Sequence, residues 1–175
     1  MEWYSSIFEL IDMRSFSNLW FWIALAVFWS SASHWVLGIP FDMVQRARRV
    51  GGQAELDLEI IARVNVNRLL YIGRVSGIWL LGFACFLLSG LVVLGFWYRM
   101  EFAQAVLFLM LPMTLVSAMS LATARRIEQQ AASGEALRRI LARHRFFTQV
   151  IGMISIFFTA LWGMYQNLTI GVLGH

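Results

Sequence analysis

Stretches without Asp, Glu, Lys or Arg divide the chain into four apolar windows. They run for 27 residues between Arg14 and Asp42, 24 between Arg74 and Arg99, 23 between Glu101 and Arg125, and 30 after Arg145. A helix needs about 20 predominantly apolar residues to cross the hydrocarbon core of a bilayer, so each window holds one span and none comfortably holds two. Inside lipid the backbone must satisfy its own hydrogen bonds, which makes these runs helical. The expected spans are 17–37, 75–97, 102–123 and 146–166. Tyr98-Arg99-Met100-Glu101 is too short for anything but a tight antiparallel hairpin between the second and third.

The polar segments between the windows carry helical patterns of their own. In 2–14, Trp3, Tyr4, Ile7, Phe8, Leu10 and Ile11 follow helical spacing, as in a helix lying in the membrane interface. The connection 38–74 is expected to break at Pro40, form a short basic amphipathic helix over 41–50, and break again at Gly51-Gly52. A second helix then starts near Gln53, with Leu56, Ile60 and Val64 on one face and Glu59 four residues before Arg63. The connection 124–145 repeats this plan. The third helix is expected to extend to about Gln130, Ser133-Gly134 to interrupt, and a new helix to carry Leu137, Ile140 and Leu141 into the fourth span. The two connections also align without a gap at an offset of 77, which raises a duplicated hairpin as one origin. The other is that any Arg-rich linker at a membrane looks similar.

Charge gives the arrangement a direction. Twelve Arg residues lie in the two long connections and only Arg14 and Arg99 on the opposite side. By the positive-inside rule the connections face the cytoplasm and both termini face out. Residues 2–14 carry a net charge of −2, unlike the basic start of a cleaved leader. Trp20, Trp22, Trp97, Tyr98, Trp162 and Tyr165 flank the expected outer interface, and Trp35 and Tyr71 the inner one. The formal net charge of +4 sits beside apolar spans, so it reads as an orientation signal and not as a nucleic-acid footprint. Arg46, Arg48, Arg49, Arg125, Arg126, Arg138, Arg139, Arg143 and Arg145 are the expected contacts to anionic lipid headgroups or a partner.

No catalytic constellation stands out, so no enzymatic activity and no cofactor are expected. The spans hold no ionisable group at mid-bilayer depth, where ion-coupled transporters place theirs. Cys85, the only cysteine, falls in an apolar setting that keeps a thiol inert, and one cysteine excludes a disulfide. His34 and His144 both fall near the inner interface, and a paired site for haem is conceivable, as is quinone binding. Small residues dot the second span at Gly73, Gly77, Gly82, Ser89 and Gly90. They serve either the bundle's own packing or docking to another membrane subunit. Pro112 is expected to kink the third span.

Three segments carry a resemblance: Trp3-Tyr4 through Phe8 to Trp20, then Ala32-Ser33-His34-Trp35-Val36-Leu37-Gly38, then Val64-Asn65-Val66-Asn67-Arg68. Together they resemble a family of small bacterial inner-membrane proteins often labelled "component of the SufBCD complex". The resemblance implies association with iron–sulfur cluster assembly. Clusters are normally held by several Cys thiolates, so a membrane tether is the most it implies for this chain. The expectation is an all-α polytopic protein forming one membrane domain over 1–175. It would act as an accessory, scaffold or assembly subunit, with a small transporter subunit or a redox protein using His34 and His144 as alternatives.

Overall fold

The computed structural model of the chain describes residue 16 and residues 19–173, with side chains through residue 168; the expected helix over 2–14 lies outside the described residues. Nearly all of what is described is helical. α1 is Leu19–His34, β1 is Trp35–Val36, β2 is Ile39–Pro40, α2 is Phe41–Val50, α3 is Gln53–Val92, α4 is Glu101–Gln130 and α5 is Gly134–Leu173. A π-helical turn, Val93–Trp97, closes α3. Three stretches are long and apolar enough to cross a membrane: Gln53–Trp97, Glu101–Gln130 and Gly134–Leu168. The tight hairpin between α3 and α4, the end of α4 at Gln130 and the new helix from Gly134 agree with the sequence pattern.

α3 and α5 are 40 residues each. At 1.5 Å per residue each is ~60 Å long, twice the thickness of a hydrocarbon core. The surplus builds a head at the Arg-rich end. There α2, the first half of α3, the last turns of α4 and the first turns of α5 enclose one apolar cluster that includes Val44, Leu58, Val66, Leu70, Ile127, Leu137 and Leu141. The head is organised as in a water-soluble protein, with apolar side chains inside.

In the other half of the molecule the pattern inverts. The buried stripe of α5 continues as His144, Thr148, Gly152, Ser155, Thr159 and Gly163, all small or polar, while Phe146, Phe147, Met153, Ile154, Phe157 and Phe158 face outward. Water does not tolerate an apolar surface of that extent. Lipid does, and small residues let helices in it approach closely. Gly152 admits the ring of Trp29, and Gly163 admits Trp22 and Phe16. The early residues of α1 thus meet the late residues of α5, so the two run antiparallel. The second buried cluster, Leu25, Trp29 and Val116, fastens α1 here.

Pro112 lies inside α4, which continues through it. A proline has no N–H to offer the carbonyl four residues back, and that carbonyl belongs to Phe108. Ser155 Oγ on α5 donates to it instead at 3.3 Å. Freed backbone polarity is thereby turned into a contact between helices.

One sequence expectation needs correction, and two further details go beyond the sequence pattern. The first helix ends at His34 and not at residue 37, because the chain reverses in a two-residue hairpin. Trp35 pairs with Pro40 and Val36 with Ile39, and Leu37 and Gly38 turn with φ of 53° and 75°. Positive φ at both central residues is what a type I′ turn requires. On α3 the buried stripe is Leu58, Ala62, Val66 and Leu70, whereas Leu56, Ile60 and Val64 are exposed. Both sets repeat every four residues. Ala62 belongs to the inner one, whose small side chain, with Ala47 and Ala124 in the same cluster, suits close approach. Finally, the helix breaks do not coincide at an offset of 77: Gly51-Gly52 falls on Glu128-Gln129, inside α4, while the second break is at 131–133.

Candidate interfacial site around His144

α5 carries His144 at the level where the apolar head cluster gives way to the small, polar stripe. Leu141 above it and Thr148 below it are both buried, as is His144 itself. The two ring nitrogens face α4. Nε2 lies 3.3 Å from Ser120 Oγ and Nδ1 lies 3.1 Å from Thr123 Oγ1. Each hydroxyl also donates to the carbonyl four residues back on its own helix, Ser120 to Val116 and Thr123 to Met119, both at 2.8 Å. Their oxygens therefore stand as acceptors toward the imidazole. A neutral ring has one N–H and serves one of them; the other hydroxyl must then turn its hydrogen to the ring. A doubly protonated ring satisfies both as they stand.

His144 forms part of the wall of two cavities, one on each side. The first, about 440 Å³, is lined by Trp35, Asn65, Arg68, Ser117 and Ser120 together with Leu69, Ile72, Met113 and Val116. Asn65 Nδ2 donates to Gly38 O at 3.2 Å, tying the β-hairpin to α3 at the rim. Residues from 32–38 and 64–68 thus meet at one cavity. The second, about 420 Å³, lies between α4 and α5 with Arg126, Arg143 and Phe147 among its lining residues.

His34 does not join this site. It is exposed, and its ring meets Trp35 edge-on at 6.0 Å. With both nitrogens of His144 held by hydroxyls, ligation of iron there would have to break one of those contacts. The structure places the two histidines in different settings, His34 exposed against Trp35 and His144 buried against Ser120 and Thr123.

The Arg residues singled out by sequence take different roles. Arg138 bonds to Glu55 across the head, and both side chains are partly buried. Arg139 pairs with Glu135 one turn away in full exposure, a contact of little energetic weight. The guanidinium of Arg145 lies 3.9 Å over the ring of Phe41, a cation–π contact. Arg48 shares a cleft with Glu135 and Arg138 between α2 and α5. Arg46, Arg49 and Arg125 are exposed. Glu59, expected only to support its own helix through Arg63, reaches another: its Oε1 accepts from the Gly134 N–H at 2.7 Å, at the start of α5.

A second polar centre escaped the sequence reading because it carries no charge. Gln104, buried near the far end of α4, donates to Gly95 O at 2.7 Å. Its Oε1 accepts from Trp162 Nε1 at 2.8 Å and Gln166 Nε2 at 2.7 Å. It locks the α3–α4 hairpin to α5. A lone Gln inside a charge-free window was the available signal. No family model, curated protein or solved structure matches this chain.

Proposed function

We propose that the chain is a non-enzymatic accessory subunit of a larger membrane complex. In this reading it is held in a bacterial inner membrane by four helices, with the Arg-rich head in the cytoplasm and both termini outside. The observation that carries the subunit role is the bare surface of α3. No residue in its most apolar stretch is buried within the chain, against 22% and 28% in the corresponding stretches of α4 and α5. Elsewhere along the membrane-length stretches, glycines receive neighbours: Leu121 at Gly73, Gln104 at Gly95, Trp29 at Gly152, Trp22 and Phe16 at Gly163. Gly77, Gly82 and Gly90 of α3 have nothing within 4 Å of where a Cβ would stand. Glycine inside a helix costs about 1 kcal/mol relative to alanine, so open glycines favour a second helix that uses them. Gly82, Cys85 and Ser89 recur at spacings of three and four on one exposed face, which suits such a neighbour.

The test is mild extraction of the tagged chain and mass spectrometry of the membrane proteins recovered with it, for wild type and Gly82→Leu. A subunit recovered with the wild type and lost with the variant is the expected result. A chain that migrates alone in both sinks the reading. Recovery of cluster-assembly proteins would give the tether that the family resemblance implies, and recovery of a permease would favour a transporter subunit.

A further inference from the structure

We infer that the cleft between α4 and α5 beside His144 is a specific site for the phosphodiester of an anionic phospholipid. Arg126 and Arg143 line its mouth, one from each helix, and no carboxylate lines it with them. The glutamates of the surrounding head are engaged elsewhere: Glu128 with Arg74, Glu135 with Arg139, Glu55 with Arg138, and Glu59 with the start of α5. Neither Arg126 nor Arg143 has an ion pair among the described residues. Two cationic side chains on one cleft favour an anion there, and the planar fork of Arg suits phosphate oxygens.

The cleft also has the polarity of a lipid. On α4, successive turns from Arg126 pass Thr123 and Ala122 to Met119. On α5 one turn leads from Arg143 to Phe147. Both paths run from the charged end into a window free of Asp, Glu, Lys and Arg. Free phosphate would use only the mouth. A lipid uses the mouth for its headgroup and the apolar path for an acyl chain, and that continuity decides for the lipid.

The test uses the full chain purified in a neutral detergent and native mass spectrometry with phosphatidylglycerol, phosphatidylcholine or inorganic phosphate added. Phosphatidylglycerol is expected to be retained as a one-to-one adduct. Arg126→Gln and Arg143→Gln should each weaken retention roughly fivefold, as expected for one cationic side chain at an anionic headgroup. Arg63→Gln removes the same charge from an exposed position on α3 and should leave retention unchanged. The Lys forms of Arg126 and Arg143 should fall between wild type and the Gln forms, which separates a lost site from a misfolded chain. Equal weakening by Arg63→Gln would mean general surface attraction and overturn the site. Equal retention of phosphatidylcholine, or retention of inorganic phosphate on its own, would overturn the lipid assignment.

Discussion

At Gly152 the smallest possible side chain already exceeds the space. A Cβ there would stand 2.8 Å from Cε3 of Trp29, whereas one at Gly82 would meet nothing within 4 Å. Gly152→Ala should therefore push α1 from α5 and cost about 1–3 kcal/mol, the usual price of overfilling a packed contact. Gly82→Ala should be neutral or slightly stabilising, because alanine is the better helix former. Thermal unfolding of the purified chain in detergent ranks the two; a Gly152→Ala protein as stable as Gly82→Ala would show that the notch does not hold the bundle. None of this was legible beforehand. The sequence marks glycines, but which of them faces an indole depends on how two distant helices are paired. The same holds for Ser120, Thr123 and Gln104. An absence of charge defines a window without ranking the uncharged polar groups within it, and those groups make the interhelical contacts.

Among elements, α4 and α5 are coupled through a proline. Pro112 deprives Phe108 O of its helix donor, and Ser155 Oγ supplies one. Ser155→Ala should thus cost about 1 kcal/mol in the native chain, near the upper range for hydrogen bonds between membrane helices. In a Pro112→Ala background the restored N–H at 112 can serve Phe108 itself, and removing the Ser155 hydroxyl should then cost much less. A double-mutant cycle on unfolding in detergent reads the difference directly. Strictly additive losses would mean that the serine contributes nothing through that carbonyl. Helix boundaries set by charge and glycine, at Gly51-Gly52 and around 131–134, were readable in the sequence. The hairpin after His34 was not, because Leu37 takes a positive φ that its side chain disfavours. The inner stripe of α3 was not readable either, because two four-residue repeats compete and only tertiary packing selects Leu58, Ala62, Val66 and Leu70.

The whole molecule has two environments on one set of helices, and its orientation follows from which end is the head. The windows, the Arg asymmetry and the hairpin at 98–100 were legible because they are properties of composition along the chain. Whether α1 crosses the membrane is harder to read, since its 16 residues rise only ~24 Å, short of a ~30 Å core. Phe16 lies against Gly163 and Trp29 against Gly152, so α1 runs antiparallel beside α5 between those two positions. Single-cysteine labelling in a Cys85→Ala background, with a reagent that does not cross the membrane, decides both points. A cysteine at Gln53 should react only after the cytoplasmic face is opened, and one at Tyr98 should react in intact cells. A cysteine at Ser5 should behave like the one at Tyr98 if α1 crosses. If Ser5 instead follows Gln53, the protein has three crossings, and α1 packs beside α5 without reaching the other side. If Gln53 reacts in intact cells while Tyr98 is shielded, the Arg-rich head faces outward and the charge rule fails for this chain.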